Sequence, residues 1–291
     1  MMVINIRDGM FVGINPILNC NLNCEYCFLH SEDSKKRISE QKNADYHSAH
    51  EWYEGLVWLN DNVNTIINLD IFGGEPLLYE DIGELINAIP LEVHIGLDTN
   101  SIKYERLSEI HKDRRTHMHL LISVHLDGNG NIPRRYHAAA EKVKELGFNN
   151  VTVNFVAYPK QIRKADIVRT FATEYGFAYH LEPYINYNPV NKGIGKFDSV
   201  DDEKYAWDRF TEADKSGLIK LKKRKYPIKC FIGKSYLLVM ENGNIFNCWG
   251  KMMAGEKPIG NIFRKEISEI PDEIDCNVFC VCSQNWRDGF S

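Results

Sequence analysis

Eight cysteines, at positions 20, 24, 27, 230, 248, 276, 280 and 282, fall into two groups near the two ends of the chain. The first group reads Asn19-Cys20-Asn21-Leu22-Asn23-Cys24-Glu25-Tyr26-Cys27-Phe28. Spacing of C-x3-C-x2-C lets one short loop wrap three thiolates around a corner of a cubane iron–sulfur cluster. No fourth cysteine lies nearby, so one iron is left open for an exogenous ligand, much as a catalytic zinc keeps an open position. An electron-transfer cluster normally closes all four. His30 follows Cys27 by three residues, and a Cys3His zinc site is the competing reading.

A second element of the same chemistry is Gly73-Gly74-Glu75-Pro76. Paired glycines allow close backbone approach by a ligand. A carboxylate and exposed carbonyls accept hydrogen bonds from an ammonium group. Other polar residues sit near the ends of apolar runs: Thr99 and Asn100 after Asp98, Ser123 and His125 before Asp127, and Asn154. Arg134 and Arg135 could pair with a carboxylate. Each of these has an ordinary alternative as a turn, cap or solvated side chain. Of the histidines at 111, 117, 119, 125 and 137, only His125 falls at a strand end that substrate could reach; packed or surface roles suit the others.

The second cysteine group begins with Cys230, followed after twelve residues by Gly243 and after four more by Cys248. Asn242-Gly243 between two short apolar runs, Tyr236–Met240 and Asn244–Asn247, is a strong hairpin signal, and such a hairpin would bring Cys230 and Cys248 side by side. Cys276-x3-Cys280-x-Cys282 follows. Five cysteines are available where one cubane needs four. A zinc knot stapling a module with little core is the alternative.

The elements that must position these groups alternate in kind. Strand candidates are Met10–Pro16, Thr65–Phe72, Glu92–Asp98, His119–His125, Val151–Ala157 and Ala178–Pro183. Between them lie helix candidates Asp45–Leu59, Tyr79–Ile89, Lys103–Lys112, Pro133–Leu146 and Lys164–Tyr175, with Gly147 and Gly176 at helix stops. Six β–α repeats argue for a parallel sheet with helical crossovers, a barrel or partial barrel whose site lies at the C-terminal strand ends. After residue 185 the pattern changes to a Gly/Asn-rich connection, a helix over Asp201–Ser216, and a small C-terminal module.

Composition narrows the class. Of 291 residues, 44% are hydrophobic and 26% charged, as in globular proteins. No run approaches the roughly 20 apolar residues of a membrane span, and the N-terminus lacks a signal-peptide pattern. Formal net charge is −5, which disfavours nucleic acid as a partner. The basic run Lys220-Leu-Lys-Lys-Arg-Lys225 reads as a solvated face. A chain of this length without a signal peptide is no secreted disulfide scaffold; reduced, clustered cysteines point to iron–sulfur or metal ligation in the cytoplasm.

The cysteine loop after a first strand, with Gly73-Gly74-Glu75-Pro76 ending the second, resembles the signature of the radical S-adenosylmethionine (SAM) superfamily. The resemblance implies an α/β fold, a partial (β/α)6 TIM-like barrel. It implies a [4Fe–4S] cluster on Cys20, Cys24 and Cys27 whose open iron binds SAM. Reductive cleavage then yields methionine and a 5′-deoxyadenosyl radical that abstracts hydrogen from substrate. Tyr26 matches the aromatic near the adenine. Gly73, Gly74, Glu75 and Pro76 match the motif that binds the SAM amino group. Thr99, Asn100, Ser123, Arg135 and Asn154 match softer SAM contacts. The pattern around Cys230, Gly243 and Cys248, with Pro258-Ile-Gly-Asn-Ile262, is similar to SPASM and twitch modules. That implies a small C-terminal twitch-like module with one auxiliary [4Fe–4S] cluster on four of Cys230, Cys248, Cys276, Cys280 and Cys282. The last triplet departs from the usual C-x2-C pairing.

The organisation expected is therefore a core at 8–190, a linker and helix at 191–228, and an auxiliary module at 229–291. The activity implied is an oxidation of a small-molecule or glycan-like substrate, with a flavodoxin- or ferredoxin-type electron donor. A peptide-modifying maturase is the alternative; such relatives commonly carry an N-terminal recognition domain, and Cys20 lies too near the start of this sequence to accommodate one. A non-catalytic iron–sulfur or zinc protein is the reading from another class.

Overall fold

The computed structural model describes residues 9–27, 29, 46–186, 193–194, 196–223, 228–230, 235–270 and 274–276. Its first half alternates as the apolar pattern requires. The order is β1 (Met10–Ile14), α1 (Ala49–Asn62), β2 (Ile66–Ile71), α2 (Ile82–Ala88), β3 (His94–Thr99), α3 (Lys112–Thr116) and β4 (Met118–Ser123). Then come α4 (Arg134–Leu146), β5 (Asn150–Val156), α5 (Ala165–Tyr175) and β6 (Ala178–Glu182). The remainder holds β7 (Ile185–Asn186), β8 (Gly193–Ile194), α6 (Val200–Trp207), α7 (Glu212–Lys223) and β9 (Ile228–Cys230). It closes with β10 (Tyr236–Val239), β11 (Asn244–Phe246), α8 (Trp249–Met253), β12 (Gly260–Asn261), β13 (Glu266–Ile267) and β14 (Ile274–Cys276).

Strands β1 to β6 pair in parallel and in sequence order. This is the α/β parallel sheet of a partial TIM-like barrel. Side chains alternate along each strand. One set, including Leu69, Ile71, Ile95, Leu97, Leu120, Ile122, Val153 and Phe155, is buried in the core with Trp52, Leu56, Leu59, Leu85, Tyr136 and Val168 from the helices. The alternate set carries polar residues on every strand from β2 to β6: Asn68 and Asp70 on β2, Asp98 on β3, Ser123 on β4, Asn154 on β5, His180 and Glu182 on β6. Gly96 on β3 makes room for this inner set, because a Cβ there would meet the Asp70 carboxylate at 2.5 Å.

The helix ends follow local chemistry. Ser48 caps α1 in a reciprocal capping box with Glu51, so the helix starts at Ala49, four residues inside the expected Asp45–Leu59. Gly147 and Gly176 end α4 and α5 with φ of 77° and 73°, the left-handed geometry glycine adopts without strain. Lys103–Lys112 is not one helix. It is a 3₁₀ turn, Tyr104–Glu109, followed by α3. The Asn87 side chain donates to the Glu109 carbonyl and accepts from the His111 amide, occupying the backbone groups at the break. Asp201–Ser216 is likewise divided. Thr211 caps a new start by accepting from the Asp214 amide, so α6 and α7 are separate.

The Asn-Gly hairpin forms as expected, with β10 and β11 antiparallel and Gly243 at φ 77°. Its position is informative: β10 pairs in parallel with β1, and the sheet continues β13-β12-β11-β10-β1 into the barrel strands. Leu237, Leu238, Val239 and Ile245 are fully buried in the same core as the barrel. The hairpin thus extends the barrel sheet.

Candidate functional site

The loop after β1 is built against the turn after β2. Asn15 is fully buried. Gly74 N–H donates to the Ile17 carbonyl at 3.0 Å and Glu75 N–H to the Asn19 carbonyl at 2.8 Å. Gly73 has φ 133°, and a Cβ there would meet Asn15 Oδ1 at 2.6 Å. At Gly74 a Cβ would overlap the Leu18 and Asn19 carbonyl oxygens. Both glycines are therefore required by contact with the cysteine loop itself, a reason the sequence does not display.

The three thiols stand on this loop, and none is in a disulfide. Cys27 N–H donates to the Cys24 carbonyl at 3.0 Å, closing the turn between them. Asn100, after β3, points Nδ2 at Cys20 Sγ (3.7 Å) and donates to Asn21 Oδ1 at 2.8 Å. His125, after β4, places Nδ1 3.3 Å from Cys24 Sγ. Burial raises the Cys24 pKa to about 12, with Cys27 and Cys20 adding to the effect, and burial also raises Cys20. Among the described residues no three Cys, His, Asp or Glu side chains converge as ligands of a single metal ion. The three thiols instead share the wall of a cavity of about 320 Å³ with Gly73, Gly74, Glu75, Thr99, Asn100, Ser123 and His125.

Glu75 is 1% exposed and carries the turn. Its Oε1 accepts from the Leu77 amide (3.0 Å) and Thr99 Oγ1 (2.6 Å); Oε2 accepts from the Asn100 amide (2.7 Å). A carboxylate has about four lone-pair sites, so one acceptor position remains for a ligand donor. Burial pushes the Glu75 pKa up, opposed by those three hydrogen bonds. Pro76 is buried at the first position of the 3₁₀ turn that follows, where its missing N–H costs nothing.

Tyr26 reaches the far side of the cavity. Its hydroxyl lies 2.6 Å from His125 Nδ1, and its ring packs on Tyr158 at 5.1 Å. Burial, with the Arg135 charge behind it, lowers the His125 pKa to about 4. Arg135 stacks on Tyr136 at 4.8 Å. Asn154 Oδ1 accepts from His180 Nδ1 at 2.9 Å. His119 pairs with Thr152, and His137 packs on Phe171 and Tyr175. His111 and His117 are exposed.

Sequence reasoning missed further cavity residues, among them Phe72, Glu182, Tyr184 and Trp249. Trp249 meets Phe72 edge-to-face at 5.6 Å. It follows Cys248, so the C-terminal stretch contributes to the barrel cavity through β10 lying on β1. Cys248 is buried, and its Sγ caps α8. Strands β9 and β14 are antiparallel, with Cys230 opposite Ile274 and Cys276 opposite Ile228. The backbone positions of Cys230 and Cys276 are thus one diagonal step apart. Cys280, Cys282 and His30 lie outside the described residues, as do the side chains of the Lys220–Lys225 run.

A parallel β/α sheet with a cysteine-lined cavity at the C-terminal ends of its strands defines an α/β barrel whose cavity lies where such folds carry their active sites. Residues 14–171, just over half the chain, match the model of the radical SAM superfamily, and the chain belongs to that superfamily. The family brings a [4Fe–4S] cluster and SAM, and the donor set fits them: three thiols outside any disulfide on one wall and a buried carboxylate with a spare acceptor position. Two curated relatives are "Probable GTP 3′,8-cyclase" of Methanococcus maripaludis, 26% identical over 62% of this chain and 60% of its own, and that of Methanocaldococcus jannaschii, 27% over 64% and 63%. SuiB of Streptococcus suis bound to its precursor peptide SuiA matches with a TM-score of 0.60 at 19% identity, covering 96% of this chain and 64% of that one. SuiB bound to SAM gives the same score and identity. The chain thus spans less than two thirds of the relatives it matches. No helix among the described residues is long and apolar enough to cross a membrane.

Proposed function

We propose that this protein is a SAM-dependent radical enzyme of the cytoplasm. Cys20, Cys24 and Cys27 hold the cluster, and Gly73, Gly74 and Glu75 hold the amino group of SAM. The observation that carries this is the stitching of the Gly73–Glu75 turn to the cysteine loop through the Ile17 and Asn19 carbonyls, which puts both elements on one cavity. When bound, cluster and SAM supply a 5′-deoxyadenosyl radical. The chain's own part is to orient and enclose. Asn100 and His125 hold Cys20 and Cys24, Glu75 presents one free acceptor site, and Tyr26, Phe72 and Trp249 cover the cavity with apolar surface that limits water.

A second cluster on Cys230, Cys248 and others of the C-terminal cysteines would accept an electron from the substrate radical and direct the reaction to oxidation. The one-step offset of Cys230 and Cys276 supports it. A peptide substrate is the second reading, favoured by the match to SuiB over nearly the whole chain. Anaerobic incubation with SAM and dithionite or a reduced flavodoxin tests the main proposal. Formation of 5′-deoxyadenosine and methionine is expected. A folded, iron-loaded protein that leaves SAM intact would refute it in favour of a non-catalytic iron–sulfur protein.

A further inference from the structure

Asn100 follows the last residue of β3 and is buried. Its backbone N–H donates to Glu75 Oε2 at 2.7 Å. Its side-chain oxygen accepts from the Ile102 amide at 3.0 Å, an Asx turn that fixes which way the amide group faces. Nδ2 is thereby turned to the cysteine loop. One of its two protons goes to Asn21 Oδ1 at 2.8 Å, and the other is directed at Cys20 Sγ, 3.7 Å away. A flipped amide would set Oδ1 against Asn21 Oδ1 and the sulfur, so the surroundings require the donor side there.

The turn that aims this side chain is strained. Ser101 is fully buried and has φ 57°, the left-handed region that residues other than glycine seldom adopt. Its amide donates to Thr99 Oγ1 at 2.9 Å, and that hydroxyl donates to Glu75 Oε1 at 2.6 Å. Strain of this kind persists where the surroundings over-determine the backbone, and it clusters at functional sites. Cys20 Sγ also accepts from the Leu22 amide at 3.4 Å. Burial raises the Cys20 pKa, with the Glu75 carboxylate adding to it, while the Leu22 and Asn100 N–H groups act in the other direction. Asn100 thus stands between two groups that carry negative charge, its backbone N–H on Glu75 and its side-chain N–H on Cys20.

A thiolate that ligates iron shares the negative charge of its cluster, and one-electron reduction adds to that charge. N–H donors on the sulfur favour the reduced form and raise the reduction potential. We infer that Asn100 is a positioning residue for electron transfer: its side-chain N–H on Cys20 raises the reduction potential of the cluster held by Cys20, Cys24 and Cys27, and so eases its reduction by the electron donor. The inference rests on the proposed function, since it assigns a residue to the cluster of that site. One electron passes from reduced flavodoxin or dithionite, and no bond forms or breaks. The superfamily resemblance matched Asn100 to a SAM contact. With its two Nδ2 protons directed at Asn21 and Cys20, the side chain is assigned to the cluster instead.

The test is an anaerobic redox titration of the reconstituted full chain, followed by electron paramagnetic resonance. The signal that added SAM perturbs identifies the cluster of Cys20, Cys24 and Cys27, and its midpoint is then measured without SAM. Asn100→Ala removes the donor. Asn100→Asp keeps the size and the oxygen that faces Ile102 but sets a carboxylate oxygen against the sulfur. At the parent's midpoint the reduced-to-oxidised ratio should fall about ten-fold in Asn100→Ala, ~59 mV for one electron, and further in Asn100→Asp. Asn21→Ala is the control: it removes the other partner of Nδ2 without touching the sulfur, and the midpoint should stay at the parental value. A parental midpoint in both iron-loaded Asn100 variants, an upward shift, or an equal shift in Asn21→Ala would each overturn the inference. So would failure of both Asn100 variants to retain iron, which would make the residue a scaffold of the loop. A parent protein that holds no cubane or leaves SAM intact is a separate result, and it removes the proposed function itself. A parent that makes 5′-deoxyadenosine while the midpoints do not differ leaves that function standing and removes this inference alone.

Discussion

Gly74 and Asn19 are in contact through backbone alone: the glycine Cα leaves no room for a Cβ against the Asn19 carbonyl, and the next amide, of Glu75, donates to that carbonyl at 2.8 Å. The Gly73–Glu75 turn and the cysteine loop therefore form one unit. Gly74→Ala should force the two apart, at ~1–3 kcal/mol as for overpacking elsewhere. The expected outcome is a lower unfolding midpoint together with poorer iron retention. An alanine variant that reconstitutes to the parental iron content would show that the contact does not organise the cysteines.

Iron stoichiometry tests the cluster assignments. Two cubanes give about eight irons per chain after anaerobic reconstitution. Replacing Cys20, Cys24 and Cys27 by Ala should leave about half. Cys230→Ala or Cys276→Ala should also leave about half while preserving 5′-deoxyadenosine formation, because the proposal places SAM on the cluster of Cys20, Cys24 and Cys27. A folded protein carrying zinc alone, with no absorbance near 400 nm, is the contrary result.

Glu75→Gln addresses the buried carboxylate. Its oxygens accept from Leu77, Thr99 and Asn100, so an amide places an N–H against a donor whichever way it turns. The expected loss is ~1–3 kcal/mol of stability, the range for an unsatisfied buried group. SAM affinity, measured by equilibrium dialysis, should fall as well. Loss of stability with unchanged SAM affinity would confine Glu75 to a structural role.

Asp98 gives the protein a pH dependence of definite sign. Desolvation, with the Asp70, Glu182 and Glu75 carboxylates nearby, pushes its folded pKa up to about 8, above the ordinary carboxylate range. Between the two values the folded state holds a proton that the unfolded chain releases, so this group's contribution to stability falls as pH rises and levels off above about 8. Asp98→Asn should accordingly raise the unfolding midpoint little near pH 5 and increasingly toward pH 8. Denaturation of both proteins across that range under anaerobic conditions checks it; a constant difference would mean that Asp98 titrates normally.

What the sequence determined by itself was the local chemistry. The spacing of Cys20, Cys24 and Cys27, the Gly73–Pro76 turn, the six β–α repeats and the Asn242-Gly243 hairpin are each written in contiguous residues. All of these motifs other than the cysteine ligation itself are seen in the structure as expected. Helix breaks at Glu109–His111 and near Thr211 were hidden, because side-chain caps from Asn87 and Thr211 override a continuous apolar period. Only the tertiary structure decided which distant residues share the cavity. Asp98 and Glu182 belong to strands three apart in the sheet order, and Trp249 arrives because β10 pairs with β1. Strand alternation says which residues share a face, but the curvature of the sheet and the pairing of a distant strand set which faces meet. That convergence put carboxylates that look ordinary in sequence on one cavity wall.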